Sequence, residues 1–65
     1  MNSNMADDLL QGIEAISRFT GIKPRRLYYL AESGLLPGVF KLGGRWCARR
    51  STLTKVIGRL EGEAA

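Results

Sequence analysis

Apolar side chains recur at Leu9, Leu10, Ile13, Ile16 and Phe19, with spacings of three and four. That period places them on one face of an amphipathic helix. Gly12 interrupts the pattern, so the helix is expected at or just after Gly12, with Leu9 and Leu10 as an extended lead-in. Thr20-Gly21 ends it, because a glycine just past a helix accepts the left-handed conformation needed there. Lys23-Pro24 opens a second helix, proline being tolerated in a first turn where its missing N–H costs nothing. In that helix Leu27, Leu30 and Ala31 share the inward stripe. Arg25, Arg26 and Tyr29 fall outward, and Tyr28 sits at the boundary, with core and surface both open to it. Ser33-Gly34 closes the helix, and Pro37 forbids its continuation. Leu53, Val56, Ile57 and Leu60 have the spacing i, i+3, i+4, i+7 of a third helix, capped by Ser51 or Thr52.

Between the second and third helices, Val39–Leu42 and Trp46–Arg49 read as two strands around Gly43-Gly44. Two registers compete. A two-residue loop pairs Leu42 with Arg45 and Phe40 with Cys47, which puts Trp46 on the face opposite Phe40 and Leu42. A three-residue loop, Gly43-Gly44-Arg45, pairs Leu42 with Trp46 and Phe40 with Ala48. The second gathers all four apolar side chains on one face, and leaves Lys41, Cys47 and Arg49 on the other. It is the expected register, since a one-residue slip exposes half of the apolar set. Trp46 is then a core residue, and Cys47 a partly exposed thiol.

The expected fold is therefore mostly α with a short β-hairpin. Residues 1–8 form a disordered arm, 9–60 the folded domain and 61–65 an acidic tail that frays. At 65 residues a single small core is all that can be built. Cys47 is the only cysteine and there is no histidine, so neither an internal disulfide nor a structural zinc site is expected. A Cys–His nucleophile is excluded as well. No phosphate loop, triad or metal cluster is present, so the chain reads as a non-enzyme without a cofactor or small-molecule substrate. Asp7, Asp8 and Glu14 lie near a helix start, where negative charge is favoured. Apolar runs are too short to span a bilayer, and the first residues lack a signal-peptide pattern, so a cytoplasmic location is expected.

Charge sharpens this picture. The formal net charge is +4, but Asp7, Asp8, Glu61 and Glu63 lie outside the span Leu9–Leu60. That span holds ten Lys/Arg against Glu14 and Glu32, a formal +8 (ten minus two). A basic body between acidic ends suggests a polyanion. Two helices joined by a short glycine-containing turn suggest a helix-turn-helix.

The stretches "AISRFTGIKPRRLYYLAESGLLP" and "FKLGGRWCARRSTL" resemble the excisionase and MerR-type small winged helix-turn-helix proteins of phages and bacteria. In that family a recognition helix ends in a Gly-x-Leu-Pro-like segment. A glycine-containing wing with an arginine follows, and an Arg-Arg/Lys-x-x-Leu run opens a packing helix. The chain also resembles the DNA-binding module of phage terminase small subunits. The resemblance implies a sequence-specific reader of double-stranded DNA, either an excisionase or a transcription regulator, nucleoid-associated when bound. It implies that Gly43, Gly44 and Arg45 form a wing tip at the minor groove. The expected DNA-binding set is Lys23, Arg25, Arg26 and Tyr29 on the helix, with Lys41, Gly43, Gly44, Arg45 and Arg49 on the hairpin. Arg25 and Arg26 start a helix that fits the major groove, as base readers or as phosphate clamps, and Lys23 is a phosphate contact. Arg50 serves either the third helix or a phosphate, while Arg18 and Arg59 are solvated. A module this small buries about 600–1,000 Å² on DNA. It is therefore expected to act as a homodimer or a cooperative oligomer, or beside an integrase or other phage protein. A DNA-packaging factor, an RNA-binding module and a protein-binding adaptor using Leu53–Leu60 are the alternatives.

Overall fold

A computed structural model describes residues 4–64. In chain order the elements are α1 (Met5–Asp8), β1 (Leu9–Gln11), α2 (Ile13–Thr20), α3 (Pro24–Ser33), β2 (Val39–Leu42), β3 (Arg45–Arg49) and α4 (Arg50–Ala64). The described residues thus form a small mixed α/β domain of four helices and one three-stranded antiparallel sheet, ordered β1-β3-β2. The expected lead-in at Leu9–Gln11 is extended, but it is also a strand. It pairs Leu9 with Arg49, Leu10 with Ala48 and Gln11 with Cys47. The Gly12 N–H, at the start of α2, donates to the Trp46 carbonyl at 2.7 Å and carries this edge one residue further.

The helix boundaries at the first turn follow the expected pattern. Lys23 is the N-cap of α3 and Pro24 lies in its first turn. Gly21 and Gly34 end α2 and α3 in the left-handed conformation. The α2–α3 turn is cross-tied by side chains. Ser17 Oγ donates to the Ile22 carbonyl at 2.6 Å, and the Ile22 N–H donates to Thr20 Oγ1 at 3.2 Å. These bonds satisfy backbone groups that a tight turn would otherwise leave unpaired.

The hairpin departs from the expected register. Its pairs are Leu42 with Arg45, Lys41 with Trp46, Phe40 with Cys47 and Val39 with Ala48. The turn is therefore Gly43-Gly44 alone, with both residues at positive φ (62° and 86°), as a two-residue hairpin turn of this hand requires. Facing pairs share a face. Leu10, Val39, Trp46 and Ala48 thus face inward and join Ile13, Ile16, Leu27, Leu36 and Leu53 in the core. Phe40 and Leu42 face outward and are exposed. The expected gathering of all four hairpin apolar residues fails because the two-residue turn sets Val39 opposite Ala48 and Lys41 opposite Trp46, in the inner positions expected for Phe40 and Leu42. Cys47, expected to be partly exposed, is buried despite lying on the outer face. It occupies the central strand, between Gln11 and Phe40 in the ladder.

The two ends of the chain also differ from expectation. Residues 1–3 of the expected arm lie outside the described residues, as does Ala65 of the tail. From Asn4 onward the arm has a place in the fold. Asn4 caps α1 by accepting from the Ala6 N–H at 2.9 Å. Asp8 is buried, and its carboxylate accepts from Ser51 Oγ (2.7 Å), the Ser51 N–H (2.9 Å) and Arg49 Nε (2.8 Å). It thereby satisfies an N–H in the first turn of α4, where negative charge meets the positive end of the helix dipole. At the other end, residues 61–64 continue α4.

Between α3 and the sheet the chain passes close beneath α4 at Gly38. Its φ is +98°, and a Cβ there would lie 3.0 Å from Thr52 Cγ2. Gly38→Ala is expected to cost about 1–3 kcal/mol from the strained backbone. Leu53→Ala, at a fully buried position, is expected to cost about 2–5 kcal/mol. Urea unfolding of both variants measures these losses.

The bonds from Ser51, and then from Arg49, hold the Asp8 carboxyl below its ordinary pKa of 3.8. The unfolded chain therefore binds this proton more readily than the folded one. The stabilisation is complete above about pH 4 and is lost as pH falls through the lower folded value. Melting temperatures followed from neutral to acid pH are expected to fall more steeply for the native chain than for Asp8→Asn.

Candidate nucleic-acid interface

Leu27 is buried and defines the inward side of α3. At about 100° per residue, Tyr28 lies about 100° from it, Glu32 about 140°, Arg25 about 160°, Tyr29 about 200° and Arg26 about 260°. All five are exposed. Tyr28, which the sequence left between core and surface, is thus a surface residue. Arg25 stands in one outward row with Glu32. Arg26 lies on the other flank, so the two arginines diverge.

An open groove of about 640 Å³ runs between α3 and the hairpin. Tyr28 and Glu32 line it from α3, and Lys41, Gly44, Arg45 and Trp46 from the hairpin. Its floor comes from β1 and α2, where Glu14 and Arg18 contribute the charges. Of the expected set, the groove brings together Lys41, Gly44 and Arg45. Lys23, Arg25, Arg26, Tyr29 and Gly43 are exposed outside its lining.

Lys41 and Arg49 do not share a face, contrary to expectation. Lys41 pairs with Trp46 on the inner side, where its ammonium stands 5.1 Å from the indole centroid. Arg49 lies on the outer side and holds Asp8. Part of its guanidinium is therefore committed to structure. Arg50 places its guanidinium 5.6 Å from the Phe19 ring, beside a second, smaller groove lined by Leu10, Ala15, Arg18, Phe19 and Arg50.

The Arg49–Asp8 contact is the one ion pair among the described residues. No other Lys or Arg has a carboxylate within 4.0 Å among the described residues, including Arg18 and Arg45, which share a groove with Glu14 and Glu32. The sequence reading passed over Arg18, Tyr28 and Glu32 as groove residues. Their signal was the i, i+4 spacing of Glu14 with Arg18 and of Tyr28 with Glu32. That spacing puts each pair on one helix face but does not say what the face meets. No group of His, Cys, Asp and Glu suited to a metal occurs among the described residues, and no helix there is long and apolar enough to cross a membrane.

Lys41→Ala removes the cation over Trp46. At an exposed site that contact is worth about 0.5–1 kcal/mol. The variant is expected to lose stability by that amount in urea and to shift the emission of Trp46, the only tryptophan. No family model, curated protein or solved structure matches the chain.

Proposed function

We propose that the chain is a sequence-specific double-stranded DNA-binding module of winged helix-turn-helix type. In this reading α3 is the recognition helix and the Gly43-Gly44 hairpin is the wing. The observation that carries it is the set of cations with no carboxylate partner among the described residues, exposed on α3 and on the hairpin that faces it across the groove. Arg25 and Arg26 project from the N-terminal half of α3, and Lys23 caps it. Lys41 and Arg45 stand on the hairpin opposite. A helix about 10–12 Å across fits a major groove about 12 Å wide, and the ten residues of α3 run about 15 Å along it. Arg25 then faces base edges or the phosphates that border them, and Arg45 meets the neighbouring backbone or minor groove. Tyr29 donates its hydroxyl to a phosphate. Gly43 and Gly44 let the backbone come close to the duplex.

The anionic groups fit this reading through their placement. Glu32 stands on the α3 wall of the groove and Glu14 on its floor, where they oppose a displaced phosphate. The excisionase or transcription-regulator role belongs to this proposal, with DNA packaging as the variant of it.

Fluorescence anisotropy on duplex DNA across graded salt tests the reading. The native chain is expected to lose affinity steeply as salt rises. Arg25→Ala and Arg45→Ala are each expected to flatten the log–log salt slope by about 1 where the lost contact is to phosphate. Where Arg25 reads a base, its loss costs about 1–3 kcal/mol and relaxes sequence preference. Binding that neither variant weakens would falsify the assignment of this surface.

A further inference from the structure

Two apolar patches on the described surface are left without a partner. The first is the outer face of the sheet. Phe40 and Leu42 are 40% and 57% exposed there, and the register places Arg45 and Arg49 on the same face. The second is the distal half of α4. Ile57 and Leu60 are 38% and 42% exposed, on the same stripe as buried Leu53. Measured from Leu53 at about 100° per residue, Ile57 lies at about 40° and Leu60 at about −20°. Glu61 and Glu63 bracket that stripe at about 80° and −80°, while Lys55 and Arg59 turn to the opposite side.

The patches are therefore complementary: one is apolar and rimmed by arginine, the other apolar and rimmed by glutamate. They do not cover each other within one copy, since both are exposed in the folded chain. A self-complementary contact of either patch with its own twin would set arginine against arginine or glutamate against glutamate. We propose that the distal half of α4 docks on the outer sheet face of a second copy of this chain. Glu61 and Glu63 then face Arg45 and the part of the Arg49 guanidinium that does not hold Asp8, and Leu60 and Ile57 cover Leu42 and Phe40.

Such a contact is heterologous. Each copy offers a helix end and accepts another on its sheet, so the assembly grows head to tail rather than closing as a two-fold dimer. The patches are small, which places the contact among weak, transient interfaces. The proposal does not depend on DNA binding, and its test uses no DNA.

Leu42→Glu removes the sheet patch and Leu60→Lys removes the helix patch. Sedimentation velocity is measured up to about 1 mM, the range of weak association. The native chain is expected to form a concentration-dependent series that extends beyond dimer. Each variant alone is expected to be monomeric. Their mixture is expected to form a one-to-one dimer that grows no further, because one copy retains the helix patch and the other the sheet patch. Should either variant lose its far-UV helical signal, Phe40→Ser and Ile57→Ser carry the same comparison. A native chain that stays monomeric at about 1 mM assigns the patches to a different partner and overturns the proposal. So does a mixture that stays monomeric, or a single variant that associates as the native chain does.

Discussion

The pairing of Leu42 with Arg45 across Gly43-Gly44 decides which side of the sheet each hairpin residue occupies. Two glycines at positive φ make the two-residue turn possible, and side-chain alternation then propagates the choice along both strands. Val39, Trp46 and Ala48 point toward Leu10, Ile16 and Leu27. Phe40 and Leu42 point away. Lys41 is brought over the Trp46 ring, and Arg45 is left beside the tip. Slipping β2 by one residue would turn Phe40 and Leu42 inward and remove Val39 from the core and Lys41 from the groove, while Trp46 kept its side of β3.

The N-terminal strand makes that register affordable. β1 covers one edge of β3 and contributes Leu10, which extends the inner face beside Ala48 and Val39. Asp8 holds the start of β1 against the start of α4 through three hydrogen bonds. One carboxylate thereby joins elements more than forty residues apart in sequence. In a domain whose largest fully buried side chains are Ile16, Leu27, Leu53 and Cys47, such polar ties matter because a small core leaves little surplus stability. The bond from Arg49 to Asp8 also separates a structural arginine from the exposed ones.

The candidate face is a compromise between rigid placement and open charge. α3 is fixed by Leu27 on one side and by the cross-tied α2–α3 turn at its start. Its outward side chains have no carboxylate partners. Glu32 shares their row, so the face is mixed in sign rather than uniformly basic. The outer sheet face and distal α4 form a second surface that meets the groove at Arg45, with Phe40, Leu42, Ile57 and Leu60 exposed on it.

Local rules were enough to read α2, α3 and their turn from the sequence. Glycine, proline and the three-four apolar spacing act within a few residues, so Gly21, Pro24 and Gly34 mark the same boundaries in both descriptions. The exposure of Arg25, Arg26 and Tyr29 was legible for the same reason, since helical periodicity alone turns them away from Leu27. The hairpin register was not legible. Both loops satisfy local turn chemistry, and the choice between them lies in which β2 side chain packs on the core built by the helices and β1, where Val39 joins it and Phe40 stays exposed. The burial of Asp8, the separation of Lys41 from Arg49 and the groove that joins Tyr28 and Glu32 to Arg45 likewise depend on contacts distant in sequence. Periodicity identifies a face of each element; only packing determines what that face meets.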